Sequence, residues 1–340
     1  MLQSYTPAGW CRAIMVMHKP SRVSATGLPE RVTIYEVGPR DGLQNEKGVI
    51  PTDVKVEFIE RLVAAGLQTI EAAGFVHPGR VPQLADAERV IEGLNLDSGP
   101  RYPVLVPTIS GLDRAFSRGV RDIAVFGSAT ETFSQRNLGR SIEESLAMFA
   151  PVVTQAREAG ASVRGYVSMC CGDPWEGTVP IAQVVDVATR MVELGCDQIA
   201  LGDTIGVGTP GHISALIEAL VVAGIPADSI AVHFHDTYGQ ALSNVLAALQ
   251  SGVTTIDSSA GGLGGCPFAE SSAGNLATED LVWMLDGLGI ESGVDLDKLV
   301  STSVWMSGHL GKPSMSRTVQ ALAGCSPRLQ ADHEVATVAG

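Results

Sequence analysis

The chain has 340 residues, 45% hydrophobic and 18% charged, which supplies Val, Leu, Ile and Ala for a large core and excludes a disordered chain. Its 37 acidic and 23 basic residues leave a formal charge of -14, which argues against nucleic-acid binding through an overall basic field but leaves room for a local basic pocket. Six cysteines, two of them adjacent at Cys170 and Cys171, lack the density of a disulfide scaffold and the spacing of a Cys-x-x-Cys zinc site, so they read as reduced thiols of a cytoplasmic protein.

No membrane partner is expected, since stretches such as Ala215 to Ile225 are broken by Glu218 and fall short of the about 20 apolar residues a span needs. At the start, Arg12, Lys19 and Arg22 precede the first acid, Glu30. That bias suits a disordered leader over 1–30, the reading preferred here, or a transit peptide to the mitochondrial matrix.

From Val32 onward, short β-branched or apolar runs alternate with longer segments of helical period, the sequence form of a parallel α/β fold. Eight strands are expected: Val32 to Val37, Thr69 to Phe75, Tyr102 to Thr108, Asp122 to Ser128, Ser162 to Met169, Gln198 to Gly202, Ile230 to His235 and Thr254 to Ser258. Helical patterns fall between them at Asp53 to Ala65, Ile142 to Ala159, Ile181 to Leu194 and Gln240 to Gln250, followed by Gly66, Gly160, Gly195 and Gly252 as C-cap signals. Eight such units favour a closed (β/α)8 TIM barrel over a doubly wound sheet, whose Gly-x-Gly-x-x-Gly turn is missing after the first strand. Leu296 to Gly308 continues with helical period. The expected organisation is therefore a leader over 1–30, a barrel over 31–290, extra C-terminal helices over 291–324 and a disordered tail over 325–340.

In such a barrel, reactive groups come from the carboxyl ends of the strands. His233 and His235 flank Phe234 at the end of the seventh expected strand, and a period of two puts both imidazoles on the inner face. They suit either a divalent metal or a hydrogen-bonded polar core. Arg40 and Asp41 follow the first strand and supply charge opposite the imidazoles, unless they form a turn ion pair. Asn275 adds a neutral oxygen donor or caps a helix. Nitrogen and oxygen donors without thiolate favour Mg2+ or Mn2+ over structural zinc. The stretch Gly261-Gly262-Leu263-Gly264-Gly265-Cys266-Pro267 presents one thiol, which suits proton transfer or an inert buried role. Glu71 and Asp203 end other strands, either lining the pocket or orienting a ligand imidazole or Arg40.

Three motifs now coincide: Glu36-Val37-Gly38-Pro39-Arg40-Asp41-Gly42-Leu43-Gln44-Asn45-Glu46, His233-x-His235-Asp236-Thr237-Tyr238-Gly239-Gln240, and Gly261 to Ala269 followed by Gly274-Asn275-Leu276-Ala277-Thr278-Glu279-Asp280. Together they closely resemble the 3-hydroxy-3-methylglutaryl-CoA lyases, metal-dependent (β/α)8 enzymes, from about Val32 to about Leu322. The resemblance implies cleavage of an acyl-CoA thioester to acetyl-CoA and acetoacetate, with Asp41, His233, His235 and Asn275 as metal ligands. It further implies that Arg40 binds the substrate and stabilises the enolate, that Cys266 protonates the carbanion, and that the chain forms a homodimer.

Two stretches depart from the family pattern. Gly74 replaces a pocket serine, within Ala73-Gly74-Phe75-Val76-His77-Pro78-Gly79-Arg80, and Asp173 stands where the family usually has cysteine. The vacated volume at Gly74 is expected to admit a larger C3 substituent or water, which makes a lyase for a longer-branched 3-hydroxyglutaryl-CoA the first alternative. A related condensing synthase is disfavoured by the cysteine loop and by the absence of an obvious regulatory domain after Lys312. A non-catalytic scaffold is disfavoured because acid, arginine and metal donors sit at separate strand ends.

Overall fold

A computed structural model describes residues 19–265 and 274–323. All strand pairs are parallel, and the sequence runs from β1 (Thr33–Glu36) through β2 (Thr69–Ile70), β3 (Ala73–Gly74), β4 (Val104–Leu105) and β5 (Asp122–Ser128) to β6 (Ser162–Ser168), β7 (Gln198–Asp203), β8 (Ile230–Phe234) and β9 (Thr255–Ser258). The expected second strand is thus broken into β2 and β3. Glu71 and Ala72 lie between the halves and still donate to Glu36 and Pro103, one neighbour on each side. With β2 on β1 and β3 on β4, the sheet closes on itself as the expected eight-stranded barrel.

Eleven helices are described: α1 (Thr52–Ala64), α2 (Ala87–Glu92), α3 (Ile109–Ser117), α4 (Glu131–Leu138), α5 (Ile142–Glu158), α6 (Ile181–Leu194), α7 (Pro210–Val222), α8 (Ala241–Gln250), α9 (Thr278–Leu288), α10 (Leu296–Leu310) and α11 (Arg317–Ala323). Local sequence explains their ends. Ser141 and Glu144 close a capping box at the start of α5, and Gly195 ends α6 with φ 111°, a left-handed conformation open to a residue without Cβ. The outer core lies between strands and helices, with Phe58, Phe149 and Leu112 fully buried.

The barrel interior is built differently. One layer is apolar and mostly small, with Leu105, Ala124, Tyr166, Ala200 and Ala231 in mutual contact. Small side chains there leave room for buried Tyr35, Arg164 and Asp257 in the same enclosure. Layers of branched aliphatics are the usual filling of such barrels. Here charge replaces part of it.

Part of the stretch expected to be a disordered leader is tied down: Val23 N donates to Gly287 O at 2.8 Å and the Arg22 guanidinium to Gly289 O at 2.7 Å. Residues 1–18 and the tail expected over 325–340 lie outside the described residues. Among the described residues, no helix is long and apolar enough to cross a membrane.

Two buried carboxylates brace the carboxyl end of the barrel. Glu36 accepts from Gly38 N, Ala260 N and Thr278 Oγ1, while Glu279 accepts from Gly261 N and the Ser303 hydroxyl. Burial pushes Glu279 up to about 8 and Glu36 to about 7, against the opposing pull of these donors. The folded chain therefore binds protons that the unfolded chain has released between the ordinary value near 4.5 and about 8. The resulting stability is full below that window and lost as pH rises through it. Warming scans should show the melting temperature falling by about 2 to 4 °C between pH 6 and pH 8.5, and Glu279→Gln should flatten the slope. A steeper slope in the variant would contradict the assignment.

Candidate metal and active site

After β1, the five residues Gly38–Gly42 make one wide turn opened by Pro39 and carry Arg40 and Asp41 over the barrel mouth. Arg40 is 6% exposed. Its Nε and Nη2 both donate to Glu71 Oε2, at 2.9 and 2.7 Å, and its Nη1 donates to Asp41 Oδ1 at 2.8 Å. Burial opposes the charge on this guanidinium, but Glu71 and Asp41 more than offset it and keep Arg40 protonated. Arginine suits the position because its fork grips a carboxylate while remaining charged in a site poor in water.

The two histidines come together as the period of two implies. Their ring centroids are 5.5 Å apart, and Asp41 Oδ2 lies 4.0 Å from His233 Nε2. One donor atom from each of Asp41, His233 and His235 can be chosen so that all three lie within 4.8 Å of one another. Asn275 joins them through a backbone bridge to His235, and its Nδ2 donates to Asp41 Oδ2 at 2.8 Å and to Leu263 O at 3.1 Å. Glycine is required beside it: a Cβ on Gly264, where φ is +114°, would lie 2.5 Å from Asn275 Nδ2.

This donor set fits a hard divalent ion. Asn275 Oδ1 and His235 Nδ1 are buried without a hydrogen-bond partner, a costly condition unless something else satisfies them. Burial would raise the Asp41 carboxyl, yet Arg40, His233 and Asn275 outweigh it and hold it at about 2. Burial and the neighbouring His233 push His235 down to about 4, so its ring is neutral at pH 7.

The remaining expected residues divide. Glu71 takes two hydrogen bonds from Arg40 and also accepts from Tyr166 Oη at 3.3 Å. Asp203 does not orient an imidazole or Arg40. Its carboxylate accepts from Val207 N and Gly208 N at 3.0 and 2.8 Å and shapes its own loop. Cys266 lies outside the described residues.

Both departures from the family pattern are absorbed locally. A Cβ on Gly74 would stand 2.9 Å from Leu84 Cδ1, so the expected vacancy is already filled by a buried leucine. Asp173 accepts from Thr130 Oγ1 at 2.6 Å and from Trp175 N and Glu176 N at 2.7 and 2.9 Å, stapling its loop.

One functional neighbour went unrecognised in the sequence. Asp257 Oδ2 lies 3.1 Å from His233 Nδ1, and its β9 position is in register with His233 on β8. The polar residues Thr255 and Asp257 alternating with Ile256 were the available signal of an inward acid.

A cavity of about 620 Å3 opens above these groups. Its lining includes Arg40, Asp41, His233 and His235, the apolar Phe126, Phe133 and Met148, and the exposed Arg80 and Arg140. The combination suits an acyl group placed near a metal, with an anionic handle passing outward.

Residues 31–305 match the family model described as HMGL-like, which is most of the chain. The chain belongs to the HMGL-like family. A mitochondrial hydroxymethylglutaryl-CoA lyase of Arabidopsis thaliana is 51% identical over 305 residues, covering 90% of this chain; the chain spans 65% of that protein's length. The mitochondrial hydroxymethylglutaryl-CoA lyase of Gallus gallus is 50% identical over 294 residues, 86% of this chain and 98% of that one. Among solved structures, the hydroxymethylglutaryl-CoA lyase of Pseudomonas aeruginosa superposes with a TM-score of 0.86 at 45% identity, covering 88% of this chain and 100% of that one. An HMG-CoA lyase of Acinetobacter baumannii, solved in complex with coenzyme A and 3-methylmalate, gives a TM-score of 0.82 at 34% identity, with 88% and 97% covered. The barrel expected from the alternation of strands and helices is thus the HMGL-like barrel.

Because Leu84 fills the space at Gly74, Gly74→Ser is expected to cost about 1 to 3 kcal/mol through overpacking. Leu84→Ala alone should cost about 2 to 5 kcal/mol by leaving a cavity. The double variant should be more stable than the sum predicts, since each change accommodates the other. Additive losses in denaturant unfolding would show that the two positions do not share this space.

Proposed function

We propose that this chain is a divalent-metal-dependent lyase that cleaves 3-hydroxy-3-methylglutaryl-CoA to acetyl-CoA and acetoacetate. The carrying observation is the convergence of Arg40, Asp41, His233 and His235 in the lining of a single cavity, with Asn275 hydrogen-bonded to Asp41. About half of the aligned residues are shared with proteins named for that reaction.

In the reaction, the bond between C2 and C3 breaks, its electron pair passes to the thioester as an enolate, and C3 becomes a ketone. Asp41, His233, His235 and Asn275 would hold Mg2+ or Mn2+, which when bound supplies acidification of the C3 hydroxyl. Asp41 stays ionised beside both imidazoles and is the acceptor this chain offers for the hydroxyl proton. Arg40 lines the cavity with its charge held by Glu71, which supports a role in stabilising the negative charge that grows on the thioester oxygen. Cys266 is retained as the acid that protonates the carbanion, on the resemblance of its loop. Arg80 and Arg140 in the lining support an acyl-CoA substrate, whose phosphates need a cationic border in a chain otherwise acidic.

A cytoplasmic location and a homodimer belong to the same reading. The three described cysteines are free and buried, and relatives named for both the cytoplasm and the mitochondrion are about equally similar. Sedimentation of the purified chain decides the dimer.

The chain freed of metal and then supplied with Mg2+ or Mn2+ should release acetoacetate from 3-hydroxy-3-methylglutaryl-CoA, and a chelator should abolish turnover. Absence of acetoacetate from the metal-loaded chain would overturn the proposal. Arg40→Gln should lower kcat by at least about a hundredfold, in line with the loss of one oxyanion-stabilising donor. A change confined to KM would contradict its role. Cys266→Ser should bind substrate but turn over far more slowly, because a hydroxyl is a much weaker acid than a thiol.

A further inference from the structure

Beneath the metal-facing groups, the barrel encloses an ion pair that the reaction itself does not use. Arg164, on β6, donates from Nη2 to Asp257 Oδ1 at 2.6 Å, and their side chains are 6% and 1% exposed. The guanidinium carbon lies 3.9 Å from the ring centroid of Tyr35 and 4.8 Å from that of Tyr166, so the head group is held between two aromatic rings. Its Nε and Nη1 have no hydrogen-bond partner.

Such a pair is a poor device for stability. Two charges are removed from water, two guanidinium nitrogens lack conventional acceptors, and apolar residues of similar volume often do as well or better. The adjacent layer of Leu105, Ala124, Ala200 and Ala231 shows that this interior accepts apolar filling. What the pair supplies is direction. Asp257 has one oxygen toward Arg164 and the other toward His233 Nδ1, in a strand register that pairs Asp257 with His233.

We infer that Arg164 is a positioning residue for the metal-facing imidazole of His233, acting through Asp257. Arg164 fixes the orientation of the Asp257 carboxylate, which accepts the proton on His233 Nδ1. That leaves the lone pair on Nε2 aimed toward Asp41. A rigid guanidinium between two rings fixes the carboxylate better than a flexible ammonium, which is the physical reason for arginine. Outer partners of this kind commonly change metal affinity by 10- to 100-fold when removed.

The inference rests on the metal-site reading above, and its test separates the two. Mn2+ binding to the full chain, without substrate, is measured by the loss of the free-ion electron paramagnetic resonance signal, together with the melting temperature of the metal-free chain. Arg164→Gln is expected to weaken Mn2+ binding about tenfold, Asp257→Asn about 10- to 100-fold, and the double variant no more than the worse single. Arg164→Lys, which keeps the charge but not the rigid fork, should weaken Mn2+ binding by a few-fold, less than Arg164→Gln, and carries the test if Arg164→Gln does not fold: wild-type affinity and an unchanged His233 tautomer in the lysine variant would then overturn the inference. Nitrogen-15 spectra of the metal-free chain should show the proton of His233 on Nδ1 in the wild type and a mixture of tautomers in Arg164→Gln. A lower melting temperature with wild-type Mn2+ affinity and an unchanged tautomer would make Arg164 structural only and overturn the inference. Asp41→Ala is the control: if it binds Mn2+ like the wild type, the metal-site reading itself fails, whereas loss there with no effect at Arg164 sinks only the positioning role.

Discussion

Two guanidinium–carboxylate pairs, Arg40 with Glu71 and Arg164 with Asp257, set the conditions for everything else in the barrel. Each is almost wholly buried, with side chains at most 7% exposed. A buried charge without a partner is costly, so once one arginine enters the barrel its acid must follow, and the surrounding side chains must be small or aromatic. That requirement accounts for Ala124, Ala200 and Ala231 in the layer around Tyr166. Tyr166 joins the pairs. Its hydroxyl donates to Glu71, while its ring lies 4.8 Å from the Arg164 guanidinium carbon and 5.9 Å from that of Arg40.

The fold was legible because its signals are local. Alternating runs marked Asp122–Ser128 and Ile181–Leu194 at their observed bounds, and His233 and His235 met on one face because strand geometry leaves no other arrangement. The break between Thr69–Ile70 and Ala73–Gly74 was not legible. It follows from neighbours on both sides, where Glu71 donates to Glu36 and Ala72 to Pro103, and no local pattern encodes those partners. Asp257 stayed hidden for the same reason: its role exists only when β8 and β9 pair in register. Asp203 shows how local contacts qualify such a signal. An acid at a strand end invites a role at the site, and here the amides of its own loop take both carboxylate oxygens.

Departures from a family pattern have to be judged against what surrounds them. Gly74 suggests an enlarged pocket only while its neighbours are unknown, and Leu84 converts the loss of a side chain into ordinary packing. At Asp173, a carboxylate takes two backbone amides and a threonine hydroxyl, contacts that fix a turn and involve neither Asp41 nor the two histidines. Specificity is therefore better sought among the side chains that line the cavity, such as Phe126, Phe133 and Met148, than at either substituted position.

The C-terminal helices belong to this site physically, although they lie beyond the last strand. The glycine-rich segment leaves β9 through Gly261, whose amide donates to Glu279 on α9 and whose carbonyl accepts from the Ser314 hydroxyl. The Ser303 hydroxyl, from α10, donates to the same Glu279 carboxylate. On the other side, Ala260 N donates to Glu36, which also accepts from Gly38 at the start of the turn carrying Arg40 and Asp41. One buried carboxylate thus links the turn after β1 to the segment after β9, and a second ties Gly261 to α10. A barrel cut after α9 would lose the Ser303 and Ser314 contacts while keeping every proposed metal ligand. Its loss would fall on loop placement rather than on the identity of the proposed ligands, because the Ser303 and Ser314 contacts act on the backbone and carboxylate that hold Gly261.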